Sequence, residues 1–175
     1  FGDLERTDES QRERLWTQIL NVMLPVQPMS VLEVGANVGL NLRALRWLLP
    51  SAMLNAIEPN DSARYGLQEF LEHSPQPGRV QFVLPTLPTH EAELVFTSGV
   101  LIHVPPDELL DFCRQIHAHA KRWIVAIEYF SHTPQEVEYR GEMGRLWKRD
   151  FGAFYLDNFP DLSPIGCGFA WSRMT

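Results

Sequence analysis

Two carboxylates and a glycine-bearing bend hold the most legible chemistry in the chain. The run Ser30-Val31-Leu32-Glu33-Val34-Gly35-Ala36-Asn37-Val38-Gly39-Leu40-Asn41 is followed, about 20 residues on, by Ala56-Ile57-Glu58-Pro59-Asn60. An apolar strand ending in an acid, a glycine turn opening a helix, and a second strand ending in a carboxylate are the parts of a nucleoside-binding site. In such a site the second carboxylate, Glu58, accepts hydrogen bonds from ribose hydroxyls; otherwise it is a solvated strand end. Gly35 and Gly39 let backbone approach a ligand with no Cβ in the way, and Asn37 is among the few non-glycine types that tolerate positive φ. Glu33 either orients the loop and a ligand ammonium through water, or accepts backbone N–H groups of the turn.

The spacing Glu-x-Gly-x-Asn-x-Gly resembles the first motif of class I S-adenosylmethionine methyltransferases, with Asn37 where glycine is usual. A dinucleotide fingerprint, G-x-G-x-x-G, fits worse, because neither its middle nor its last glycine is present to bring a helix N-terminus onto a pyrophosphate. S-adenosylmethionine has no phosphate to cradle. A nicotinamide-dependent oxidoreductase is the reading this disfavours; it predicts thermal stabilisation by NAD instead.

Alternating strands and helices must position these groups. Leu15, Trp16, Ile19, Leu20, Val22 and Met23 recur at helical spacing after the polar starter Thr7–Ser10, until Pro25 and Pro28. Strands are expected at Val31–Val34, Met53–Ile57, Val80–Leu84, Leu94–Thr97 and Trp123–Ile127. Between them, Leu42, Leu45, Trp47, Leu48 and Leu49 mark one buried helix side; Tyr65, Leu67, Phe70 and Leu71, capped by Asp61 or Ser62, mark another. A further helix starts at Asp107. The fold class is α/β: a Rossmann-like, doubly wound, mostly parallel sheet in a single domain. Residues 1–29 form an N-terminal helix and linker, 30–128 the core, and 129–175 a tail. In that tail a polar stretch, Ser131–Arg149, precedes a helix over Phe151–Phe159 and a last strand around Cys167–Trp171.

Ligands of open α/β sheets lie outside the carboxyl ends of the strands. A third such end is Thr97-Ser98-Gly99-Val100-Leu101-Ile102-His103-Val104-Pro105-Pro106. Its imidazole, His103, is the candidate catalytic group, a general base; the alternative is that it anchors the loop by hydrogen bonds. His73, His90, His117, His119 and His132 share no ligand spacing, and no metal site is expected.

Taken together, the strand-four loop and the tail resemble the pseudaminic acid biosynthesis-associated methylases, a branch of the class I methyltransferases. The matching stretches are Glu33–Gly35 with Asn41–Leu45, Phe96–His103, Tyr129 with Thr133–Gly141, Leu146–Phe151 and Phe159–Leu162. The resemblance implies S-adenosyl-L-methionine as cofactor, with S-adenosyl-L-homocysteine as product. It places Glu33, Gly35, Asn37, Gly39, Glu58 and Pro59 on the donor, with Thr86 and Leu87 of the link Pro85–Pro88 beside it and Ser98 and Gly99 at its methionine end. That link lacks the acidic residue that commonly meets the adenine amino group. On the acceptor side stand Glu128, Tyr129, Glu138, Tyr139, Arg140, Lys148 and Arg149. This mixture of carboxylates, phenols and cations suits a polar small molecule such as a sugar acid or nucleotide sugar, with Arg140 first to grip an acid. The alternatives are that these charges form a salt-bridged surface flap, and that the chain is a noncatalytic binding or scaffold protein.

The 175 residues, 45% hydrophobic, suffice for a globular core. A net charge of −7 argues against general nucleic-acid binding, which rests on Lys and Arg neutralising phosphates. Cys113 and Cys167 have neither disulfide-framework nor zinc-ligand spacing, and with no membrane-length apolar run or signal peptide the expected location is the cytoplasm.

Overall fold

In the computed structural model, residues 2–73, 80–84 and 91–169 are described, with side chains described for 10–69 and 91–169. Two compact units emerge, one of residues 1–88 with 164–175 and one of residues 89–163.

In the first unit, α1 (Gly2–Gln18) continues into a π-helical turn, Ile19–Met23, closed by the Leu24 N–H on the Ile19 carbonyl at 3.0 Å. Thr7–Ser10 lies inside this helix and does not start it, because no glycine or proline interrupts residues 3–18. Trp16, Ile19, Leu20 and Leu24 form its buried stripe, whereas Val22, off that stripe, is exposed.

β1 (Ser30–Val34) runs parallel to β2 (Met53–Ile57), which runs parallel to β3 (Val80–Leu84). Between β1 and β2, α2 (Leu40–Leu48) buries Asn41, Leu42, Ala44, Leu45 and Arg46. Trp47 points to solvent, against expectation, since five residues on from Leu42 it falls well outside that arc. Likewise Tyr65 of α3 (Asp61–His73) is exposed while Leu67 is buried. The cap of α3 is Asn60, whose Oδ1 accepts the Ala63 N–H at 3.1 Å, rather than Asp61 or Ser62. Gly39 precedes α2 at φ +79°, and a Cβ there would lie 2.3 Å from Leu67 Cδ1. Its glycine is thus required by backbone conformation and by contact with α3.

In the second unit, β4 (Ala92–Ser98) runs parallel to β5 (Ala120–Ile127), with Thr97 opposite Ala126 and Ser98 opposite Ile127. After β4 comes a 3₁₀ turn, Leu101–His103, and then α4 (Leu109–His119), two residues later than Asp107 suggested. β5 starts three residues before Trp123, and Trp123 is its one buried side chain. Along its other edge it has no partner among the described residues, so its apolar run is half solvated. Short strands β6 (Gln135–Glu136) and β7 (Trp147–Lys148) pair antiparallel into a hairpin. At its tip Tyr139 and Glu142 exchange N–H···O bonds of 2.9 and 3.1 Å around Arg140 and Gly141, whose φ values are 52° and 82°. Two consecutive positive φ angles are the pattern of a type I′ turn. α5 (Phe151–Asn158) follows, capped by Asp150, whose Oδ1 accepts the Ala153 N–H at 2.8 Å.

No strand forms over residues 167–169; Ala170 and Trp171 lie outside the described residues. That segment belongs to the first unit and approaches Met23 through two glycines: a Cβ at Gly166 would come within 2.9 Å of it, and one at Gly168 within 3.3 Å. The fold class is the expected one, a Rossmann-like, doubly wound, mostly parallel α/β architecture. Among the described residues no helix is long and apolar enough to cross a membrane.

Candidate functional site

Register creates the candidate site of the first unit. Val34 pairs with Ile57, so the bend after β1 and Glu58 after β2 emerge side by side. The N–H groups of Gly35 and Ala36 both donate to the Ile57 carbonyl, at 2.8 and 3.0 Å. Glu58 then spans the opening: Oε2 accepts the Asn37 N–H at 2.6 Å and Oε1 the Asn60 N–H at 2.8 Å. It is no solvated strand end, being only 7% exposed. Charge-assisted bonds of this kind hold the bend in place, and each carboxylate oxygen keeps a second lone pair for another donor. Gly35 and Asn37 both take positive φ, 78° and 49°, so asparagine serves where glycine is usual without breaking the bend. Asn37 and Pro59 flank Glu58 as exposed residues. A Cβ on Gly39 would meet Leu67, so close packing against α3 also requires glycine there. Thr86 and Leu87 lie outside the described residues.

Glu33 is fully enclosed. Its Oε1 accepts from Asn41 Nδ2 at 2.7 Å, while Asn41 Oδ1 accepts from Trp16 Nε1 at 3.2 Å and Arg12 Nη1 at 3.4 Å. Glu33 Oε2 is buried with no hydrogen-bond partner. Burial pushes the carboxyl up to about 8, against the lowering effects of Asn41 and Arg12 and with a small further rise from Glu58. Asn41 was not among the expected site residues; the available signal was a lone amide within the buried positions of α2. Arg64 was missed too, and its Nη1 donates to the Glu58 carbonyl at 2.9 Å.

The second unit repeats the construction. Gly99, at φ 66°, donates its N–H to the Ile127 carbonyl at 2.9 Å, and Glu128 Oε1 accepts the Val100 N–H at 3.2 Å. The sequence signal is Ala-Ile-Glu, which ends both β2 and β5 and is completed by Glu58 and Glu128. Burial raises the Glu128 pKa, opposed by the Thr97 hydroxyl and the N–H groups of Leu101, Val100 and Ile102. Its Oε1 shapes the turn below His103, while Oε2 is buried without a hydrogen-bond partner. Ser98 is half-buried beside Gly99, around which a Cβ would meet nothing within 4 Å.

His103 closes that turn as an exposed side chain. Its Nδ1 lies 2.7 Å from the Arg145 carbonyl. A carbonyl only accepts, so Nδ1 donates, and in the neutral ring Nε2 is the nitrogen with the lone pair. The ring meets Tyr139 edge-on at 5.2 Å, and the Arg140 guanidinium lies 5.2 Å from the Tyr139 ring. Lys148 Nζ stands 5.5 Å from the Tyr129 ring, and Arg149 5.3 Å from that of Phe154. Within the same tail Arg145 is paired with Glu142 at 2.8 Å, but among the described residues neither Arg140 nor Lys148 has an ion pair. His117 and His119 are satisfied locally, by Asp161 at 2.8 Å and the Gln115 carbonyl at 2.7 Å, and His132 packs edge-on against Phe130. The Cys113 thiol is buried and pushed up to about 11, mainly by desolvation.

No known family and no curated protein matches the sequence. Solved structures do match in fold. The mitomycin 7-O-methyltransferase MmcR gives a TM-score of 0.65 at 13% identity, over 86% of this chain and 46% of that one. An O-methyltransferase from a trans-AT PKS multienzyme of Brevibacillus brevis, in complex with S-adenosyl-L-homocysteine, gives 0.65 at 12% identity, over 87% and 52%. The plantazolicin methyltransferase BpumL in complex with SAH gives 0.56 at 13% identity, over 73% and 50%. The chain spans about half the length of these proteins. At such identities the likeness is one of architecture: the chain has the Rossmann-like fold of these methyltransferases.

Proposed function

We propose that the protein is an S-adenosylmethionine-dependent methyltransferase acting on a polar small molecule, of which a sugar acid or nucleotide sugar is the best-suited class. The observation that carries this reading is Glu58, whose carboxylate ties Asn37 of the bend to Asn60 and keeps lone pairs for a ribose diol. The donor half lies in the first unit, where the enclosed Glu33 ties the end of β1 to Asn41 of α2. Gly35, Asn37 and Pro59 complete that half. When bound, the donor supplies an electrophilic methyl group on a sulfonium; the chain's part is to hold, align and accept a proton.

On the acceptor side, His103 Nε2 takes the proton of a hydroxyl or amine nucleophile while Nδ1–H stays on the Arg145 carbonyl. Arg140 and Lys148, unpaired and set on the rings of Tyr139 and Tyr129, grip an anionic group. Arg140 also holds a left-handed conformation that asparagine adopts more readily. Arg140→Asn is therefore expected to stabilise the chain by about 1 kcal/mol in urea unfolding while raising the KM for an anionic acceptor. An unchanged KM would return Arg140 to a purely structural hairpin.

Calorimetry with S-adenosylmethionine and S-adenosylhomocysteine tests the donor half. Micromolar binding is expected, weakened about tenfold or more by Glu58→Ala, one lost charge-assisted contact being worth that much. If the unmodified chain binds neither compound, the noncatalytic scaffold reading replaces this one.

A further inference from the structure

We infer that Glu136 is a positioning residue for His103: its carboxylate tethers the returning arm of the hairpin at Gly144, so that the carbonyl of the following residue, Arg145, holds the imidazole proton on Nδ1. Glu136 sits in β6 opposite Trp147 of β7, and its Oε1 accepts the N–H of Gly144. Between the Tyr139–Glu142 turn and the Val137 N–H···Leu146 carbonyl bond of 2.8 Å, residues 143–145 make no ladder hydrogen bond. All three are exposed, so side-chain packing does not fix their backbone either. The backbone around the Arg145 carbonyl is held by Leu146 in the ladder, by Gly144 on the Glu136 carboxylate and by the exposed Arg145–Glu142 ion pair. Gly144 takes φ 73°, a conformation open to glycine that would otherwise leave this arm free to reorient.

What the tether governs is which nitrogen of His103 can accept. With Nδ1–H on the carbonyl at 2.7 Å, Nε2 alone has a lone pair. When Nε2 takes a proton, the Nδ1–H···O bond becomes charge-assisted and strengthens, so the same carbonyl steadies the imidazolium. Its use in deprotonating an acceptor rests on the methyltransferase reading; the tautomer itself does not.

The test needs neither donor nor acceptor. In chain labelled with ¹⁵N-histidine, at a pH where the ring is neutral, long-range ¹H–¹⁵N correlations are expected to show His103 with a protonated Nδ1 and a bare Nε2. Glu136→Ala should draw the two nitrogen shifts together as the tautomers mix. Glu136→Gln should keep them apart, because the amide oxygen still accepts the Gly144 N–H. An Nε2–H tautomer in the unmodified chain overturns the inference, and so does Glu136→Ala with shifts like those of the parent. Failure of the calorimetry above would remove the methyltransferase reading and leave this result standing.

Discussion

His103→Ala is expected to lower methyl-transfer turnover about 100-fold or more, the usual contribution of a positioned general base, while S-adenosylhomocysteine affinity stays within a factor of two or so of the parent. The expectation follows from the tautomer. The ring's only acceptor nitrogen is the one not committed to the Arg145 carbonyl, and it lies on an exposed residue whose ring meets Tyr139. An anchoring role predicts a different pattern, and His103→Asn separates the two. Asparagine can still donate to the Arg145 carbonyl, so a pure anchor would recover most of the activity, whereas a base would stay lost. The measurement is a donor-dependent screen over sugar acids, nucleotide sugars and small amines, followed by kcat and KM on the best acceptor. Parent-like turnover in His103→Ala would leave His103 a hinge pin of the hairpin.

Glu33→Gln is expected to make the protein more stable at neutral pH. The carboxyl titrates at 4.5 in the unfolded chain and near 8 when enclosed in the fold, so between those values the folded chain keeps a proton that the unfolded chain has lost. Stability from this source is complete below the lower value and drains away as pH rises toward the upper one. At neutral pH the loss amounts to about 3 kcal/mol, or several degrees in Tm for a domain of this size. Glutamine keeps an oxygen for Asn41 Nδ2 and has no charge to bury, so it escapes that loss. Thermal unfolding between pH 5 and 8 should therefore fall more steeply for the parent than for the variant. Donor affinity should change little, because at neutral pH the enclosed Glu33 carries a proton and offers no charge that glutamine would remove. A variant no more stable than the parent at the upper end of that range would show that Glu33 is not buried as described.

The elements that build the site were legible because strand and helix periods are local. β1, β2 and β3 occur at the residues their apolar runs mark, and the bend between β1 and α2 was readable from Gly35, Asn37 and Gly39. Helix faces were less so. Trp47, Tyr65 and Val22 are apolar but exposed, since hydrophobic type alone does not say which arc of a helix meets a neighbour. No strand forms over residues 167–169 for a related reason: glycines at 166 and 168 serve a close approach to Met23, a contact between residues more than 140 apart in the chain.

Residue order by itself determined the α/β class, the two carboxylates at strand ends and the glycine bend, because each depends on neighbours within a few positions. Tertiary structure alone decided what those groups do to one another. It turned Glu58 onto Asn37, sealed Glu33 behind Asn41 and Trp16, used Glu128 to shape a turn, and gave His103 its tautomer through a carbonyl 42 residues away. Burial and hydrogen-bond partners are properties of the folded environment, and they set both the charge of an acid and the free nitrogen of an imidazole.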